Sequence, residues 1–158
     1  MPQHLIRTSL FDRLMDDFPE AQNEFATLNA YDESRYKASV LRDISCLFNT
    51  RSSRPVQSYK SEPLTVLDYG IPDLAHYSLA STDDQQHLAL LFRRAIQAFE
   101  PRLCNPVIVV NSSPLNEKRL EIHIQGRLIH EKGELYMTFL TSRQTGYDSW
   151  AIHELEGG

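Results

Sequence analysis

Cysteine, tryptophan and glycine are scarce in this chain of 158 residues, with two, one and six copies. Cys46 and Cys104 stand far apart, form no CxxC and have no neighbours at zinc-site spacing, so a disulfide framework or thiolate metal centre is excluded and two buried free thiols are expected. Six glycines are too few for a phosphate-cradling loop, and neither HExxH nor GxSxG occurs. Long apolar runs are also missing. The longest clean aliphatic stretch, Val107-Ile108-Val109-Val110, falls far short of the ~20 residues that span a membrane, and Met1-Pro2-Gln3-His4 opens no signal-peptide pattern; a cytoplasmic protein is expected.

The apolar fraction of 41% and charged fraction of 23% are those of a folded globular chain, long enough for one core. Net charge is −5, which argues against generic nucleic-acid affinity. Charge is unevenly spread: residues 1–34 hold seven acids and two bases, whereas residues 35–60 hold six bases and one acid. Arg35, Lys37, Arg42, Arg51, Arg54 and Lys60 form a local positive segment, suited to a solvated helix face or an acidic partner surface.

Hydrophobic rhythm organises the rest. Ser9 and Asp12 have capping spacing ahead of Leu14, which reads as one or two helical turns over Ser9–Met15, too short to stand without packing on something. No firm element is read from Asp17 to Tyr31. Val40, Leu41, Ile44, Leu47 and Phe48 repeat at helical spacing and predict a helix over Ser34–Phe48, capped by Asn49. Thr50–Pro63, rich in Ser and Pro, reads as a loop. Thr82 and Gln85 have capping-box spacing, with Asp83 and Asp84 in the first turn, and start a helix whose buried side is Leu88, Leu91, Phe92, Ala95 and Phe99; Pro101 stops it near Glu100. Beyond Pro101 the period falls to two. Val107–Val110, Arg119–His130, Glu134–Ser142 and a possible fourth stretch, Tyr147–Leu155, read as strands, with a short hairpin at Glu131-Lys132-Gly133. The fold class is α+β: two or three N-terminal helices packed on an antiparallel meander of three to four strands. Residues 1–33 read as a partly extended docking segment and 34–158 as one domain.

Chemistry is thinly represented. His123 and His130 are seven apart and fall on opposite faces of a regular strand unless Gly126 marks a bulge, so they share no ligand. Asp83 and His87 are four apart on a helix, but acids in a first turn are expected for the helix dipole alone. No metal and no cofactor are expected. The enzyme to weigh is a lysozyme-like peptidoglycan hydrolase using Glu100 as acid, which needs two carboxylates across the scissile bond and a raised pKa on the acid. Arg102, two residues away, favours the ionised carboxylate, and an ion pair is the better reading.

Four segments together carry a family resemblance: Ser9-Leu10-Phe11-Asp12-Arg13-Leu14, the run Leu41-Arg42-Asp43-Ile44-Ser45-Cys46-Leu47-Phe48-Asn49-Thr50-Arg51, Asp68-Tyr69-Gly70-Ile71-Pro72-Asp73-Leu74, and Phe99-Glu100-Pro101-Arg102-Leu103. In this order they resemble the type VI secretion baseplate subunit family TssE, related to the small wedge protein of contractile-phage baseplates. Asp68, Ile71 and Phe11 stand where that family has Asn, Leu and Leu. The resemblance implies a structural, non-enzymatic wedge component that links the wedge core to the contractile sheath and nucleates sheath polymerisation. It implies wedge partners TssF, TssG and TssK and sheath partners TssB and TssC, in the bacterial cytoplasm at the inner face of the envelope, with no nucleic acid and no membrane insertion. It assigns partner contacts to Glu100, Pro101 and Arg102 at the wedge core and to Ser9, Leu10, Phe11 and Leu14 in the N-terminal docking segment. Open sheet edges suit sheath docking by strand addition.

Overall fold

The computed structural model describes residues 33–78, 80–113, 116–130, 133–144 and 149–155. The expectations for 1–31, including those for Ser9, Leu10, Phe11 and Leu14, lie outside the described residues. Helix α1 spans Glu33–Phe48, α2 Val56–Ser61 and α3 Thr82–Phe99, with a single 3-10 turn at Val66–Asp68. Four strands follow: β1 Leu103–Ser113, β2 Asn116–His130, β3 Gly133–Gln144 and β4 Ala151–Glu154. They form one antiparallel sheet in the order β1-β2-β3-β4, a simple meander, so the α+β expectation holds.

The core lies between the helices and one face of the sheet. The helical rhythm of α1 buries Tyr36, Val40, Ile44, Leu47 and Phe48, and that of α3 buries Leu88, Leu91, Phe92, Ala95 and Ile96; Leu41 and Phe99, expected on these faces, are half-buried. From the sheet come Val110, Ile122, Ile124, Leu128, Met137 and Phe139. Each large aliphatic side chain removed from water contributes on the order of 1.5–3 kcal/mol. Phe48, Phe92 and Trp150 close the far end, with ring centroids 4.9 to 5.9 Å apart.

Several local expectations are corrected. The segment 50–63 holds α2, whose Tyr59 is fully buried and donates its hydroxyl to Gly70 O at 2.9 Å; tertiary anchoring supports six helical residues that propensity alone would not. The cap of α3 is Ser81, one residue earlier than Thr82: its hydroxyl accepts from Asp84 N, while Asp84 accepts from Ser78 N. β1 begins at Leu103 rather than Val107, and β4 at Ala151, after Ser149 and Trp150 outside any strand. The β2–β3 register runs unbroken from Arg119 to His130, so no bulge in that ladder resets the parity of His123 and His130. The irregularity sits across from Gly126, on β1, where two residues, Asn105 (φ +50°) and Pro106, stand opposite one. Gly126 is needed for another reason: a Cβ there would come 2.5 Å from Leu103 Cδ1. Both thiols depart from the expectation of burial, Cys46 being exposed on α1 and Cys104 half-exposed on β1. Among the described residues no helix is long and apolar enough to cross a membrane.

Candidate functional site

The turn between α3 and β1 gathers the charged residues singled out in the sequence. Glu100 caps α3, its N–H donating to Ile96 O at 2.8 Å, and its own carbonyl accepts from Leu103 N at 3.1 Å. This tight turn brings Arg102 back over the Glu100 carboxylate. Nε donates to Oε1 at 2.8 Å and Nη2 to Oε2 at 2.6 Å, a forked pair that only a planar guanidinium can make. The backbone N–H of Arg102 adds a bond to Oε1 at 3.2 Å.

The same guanidinium reaches α1. Ser39 and Asp43 are four apart and share a helix face; Nη1 donates to Ser39 Oγ at 3.0 Å and Nη2 to Asp43 Oδ2 at 2.5 Å. One side chain therefore ties the end of α3 and the start of β1 to α1. Glu100 is 3% exposed and the side chains of Arg102 and Asp43 are 13% and 28% exposed, so the network grades from core to surface. Burial works against the Arg102 charge, but the bonds and charges of Glu100 and Asp43 outweigh it and raise the guanidinium pKa above its ordinary value. Both oxygens of the Glu100 carboxylate are thereby occupied by Arg102 donors. Pro101, on the outside of the turn, is exposed.

A second junction joins two more of the sequence motifs. Ile71 N donates to Thr50 O at 2.8 Å and Ser52 N to Ile71 O at 2.9 Å, a parallel bridge between Asn49-Thr50-Arg51 and the Tyr69–Leu74 turn. Gly70 sits at φ +113°, and a Cβ there would lie 2.5 Å from Thr50 O; the motif's glycine is an architectural requirement. Arg51, expected to be a solvated cation, pairs with Asp73. Asn49 accepts from Trp150 N at 2.7 Å and donates to Trp150 O at 3.2 Å, as a strand neighbour would, besides capping α1 through Ser45 O at 2.9 Å. That second role had no signal in the sequence, because Trp150 is 101 residues away.

The basic segment 35–60 is largely neutralised within the fold. Lys37 pairs with Glu154 at 3.5 Å, Arg54 with Asp68 at 2.9 Å and Glu62 at 2.7 Å, and Lys60 lies 5.4 Å from the Tyr77 ring centroid. Asp68 also accepts from Thr65 N and Oγ1, a capping box whose signal in the sequence is the three-residue spacing of threonine and aspartate. At the start of α3, Asp83 lies 3.8 Å from His87, with Asp84 close by. Ser78 N and the helix dipole account for these acids.

Neither the curated proteins nor the solved structures contain a match to this sequence. A protein family does: the one described as baseplate wedge protein gp25 matches residues 34–133, a stretch that runs from the second residue of α1 through β2 and holds the Arg102 network and the Thr50–Ile71 bridge. With well over half of the chain covered, it belongs to the gp25 baseplate wedge family, and its role is a structural one among the components of a phage-tail-like baseplate.

Proposed function

We propose that the chain is the TssE-type wedge subunit of a type VI secretion baseplate, in the bacterial cytoplasm at the inner face of the envelope. It links the wedge core of TssF, TssG and TssK to the TssB–TssC sheath and starts sheath polymerisation by accepting a strand on its sheet. The observation that carries this reading is the family match over residues 34–133 together with an open four-stranded meander beside it. Glu100, Pro101 and Arg102 contact the wedge core: Pro101 stands outward on a turn that the charge network holds rigid, and the graded exposure of Arg102 and Asp43 leaves a polar rim for partner groups. Residues 1–33 serve as a docking segment through Ser9, Leu10, Phe11 and Leu14, and 34–158 form the wedge domain. No step of this role needs catalysis or a cofactor.

The test is affinity purification of the tagged protein from its native cell, with mass spectrometry of the co-purifying proteins. Wedge and sheath subunits are expected, and Pro101→Glu is expected to lose the wedge core while keeping its melting temperature. Absence of every baseplate subunit, or peptidoglycan turnover abolished by Glu100→Gln, would overturn the reading.

A further inference from the structure

Val66 and Leu67 stand side by side on the 3-10 turn and are each 85% exposed, more than any other large apolar side chain among the described residues. Apolar side chains scattered singly over a surface are ordinary. A neighbouring pair with so little cover from its own fold has the character of a contact surface.

The backbone beneath this pair is fixed from several directions. Asp68 accepts from Thr65 N at 2.8 Å and from Thr65 Oγ1 at 2.9 Å, which closes the turn on itself. Arg54 donates through Nη1 to Asp68 at 2.9 Å and to Pro63 O at 2.8 Å, and through Nη2 to Glu62 at 2.7 Å. Arg94 of α3 donates to Glu62 O. Leu64 before the turn and Tyr69 after it are half-buried and pack against the core. The chain therefore enters and leaves through seated side chains, while the two residues between them project. A contact surface already held in shape loses little conformational freedom on binding, so a small apolar contact can be a strong one.

This turn adjoins the α3–β1 turn. The Tyr69 and Phe99 rings meet edge to face with centroids 5.3 Å apart. Leu67 and Pro101 each lie two residues, at most about 7 Å of chain, from a member of that ring pair. The Tyr69 hydroxyl is pushed up by burial and then by nearby Cys46, Asp43 and Glu100, the last two being members of the Arg102 network. Resting on the reading that Pro101 meets the wedge core, we infer that Val66 and Leu67 are a second contact to that partner, a convex aliphatic pair seated in an apolar socket of a wedge-core subunit.

Area and position select this occupant. Two aliphatic side chains offer a few hundred Å² at most, far below the roughly 800 Å² per partner of a stable specific interface, so the pair cannot by itself hold a second copy of the chain. It fits instead as the anchor of a larger contact, which the exposed Pro101 turn continues. Glu62, its side chain 53% exposed and paired with Arg54, supplies a polar border of the kind that rims such anchors. The sheath contact belongs to the sheet in the same reading, whereas this turn stands at the end of α3.

The test uses the full chain and a purified TssF–TssG–TssK wedge core from the same bacterium, with affinity measured by biolayer interferometry. Val66→Gln/Leu67→Gln is expected to lose about tenfold or more, while Val66→Ile/Leu67→Met and a pair on the sheet, Val107→Thr/Val109→Thr, stay within about twofold of wild type. All three should keep the wild-type melting temperature, because the substituted side chains are exposed. In a second measurement a benzophenone amino acid takes the place of Leu67 in the full chain in its native cell, and irradiation should link it to a wedge-core subunit. Unchanged affinity of Val66→Gln/Leu67→Gln, with binding still lost in Pro101→Glu, overturns the inference and leaves the wedge-core reading standing. Crosslinks only to a sheath subunit or to a second copy, or none at all, overturn it as well. Failure of the wild-type chain to bind the wedge core overturns that reading and this inference together. If the glutamine variant melts early, the crosslink decides.

Discussion

The Arg102 network permits a sharp separation of stability from binding. Arg102→Met removes four side-chain bonds at once and leaves the Glu100 carboxylate, 3% exposed, with only the backbone N–H of residue 102 as donor. Stranding one member of a buried ion pair costs about 3–5 kcal/mol. At roughly 2–4 °C per kcal/mol for a chain of this size, the melting temperature should fall by about 6–20 °C. Glu100→Met/Arg102→Met removes both charges and fills the space with side chains of similar volume, so it should recover to within about 2 kcal/mol of the wild type, because apolar replacements of buried pairs are often near neutral. The strong non-additivity, read by urea denaturation of wild type, both single variants and the double, is the signature of the pair. A loss under about 1 kcal/mol for Arg102→Met, or simple addition in the double variant, would show that water screens the network and that its burial has been misjudged. The double variant also informs the proposed interface: recovered stability with wedge binding still lost would mean that the charges themselves touch a partner.

Other substitutions probe the second junction. Gly70→Ala must place a Cβ 2.5 Å from Thr50 O at φ +113°, and a loss of about 3 kcal/mol or more is expected in urea melts; a change below about 1 kcal/mol would mean that the Thr50–Ile71 bridge shifts freely. Asn49→Ala deletes the two bonds that hold Trp150, costing about 1–3 kcal/mol, and near-ultraviolet circular dichroism should report a loosened tryptophan. Asp68 is held below the usual carboxylate range chiefly by Thr65 N–H, and Asp73 chiefly by Ala75 N–H, with Arg54 and Arg51 adding to each and partial burial opposing. Lowered folded pKa values mean stabilisation that is full above the unfolded Asp value near 4 and is lost as pH falls through the folded values. The urea midpoint should therefore drop on acidification below about pH 4, and Asp68→Asn/Asp73→Asn should flatten that part of the profile; an unchanged slope would remove these carboxylates from the account.

What the chain's own order of residues determined is local. The apolar repeat from Val40 to Phe48, the apolar face from Leu88 to Phe99 stopped by Pro101, and the alternation after it depend only on neighbours within a turn or two, so helices, strands and their sequence emerge from periodicity. The pairing of Glu100 with Arg102 was legible for the same reason, being two residues long. Everything that made this pair a cross-link was decided in three dimensions, since Ser39 and Asp43 lie 63 and 59 residues away and meet the guanidinium only when α1 packs beside the α3–β1 turn. The same holds for α2, which exists because Tyr59 finds a buried site and Gly70 O, and for the early start of β1, where Leu103 packs on Gly126 across an Asn105-Pro106 interruption that reads locally as loop. Free energy from contacts distant in sequence overrode weak local preferences at these places, and no pattern confined to a short window carries that information.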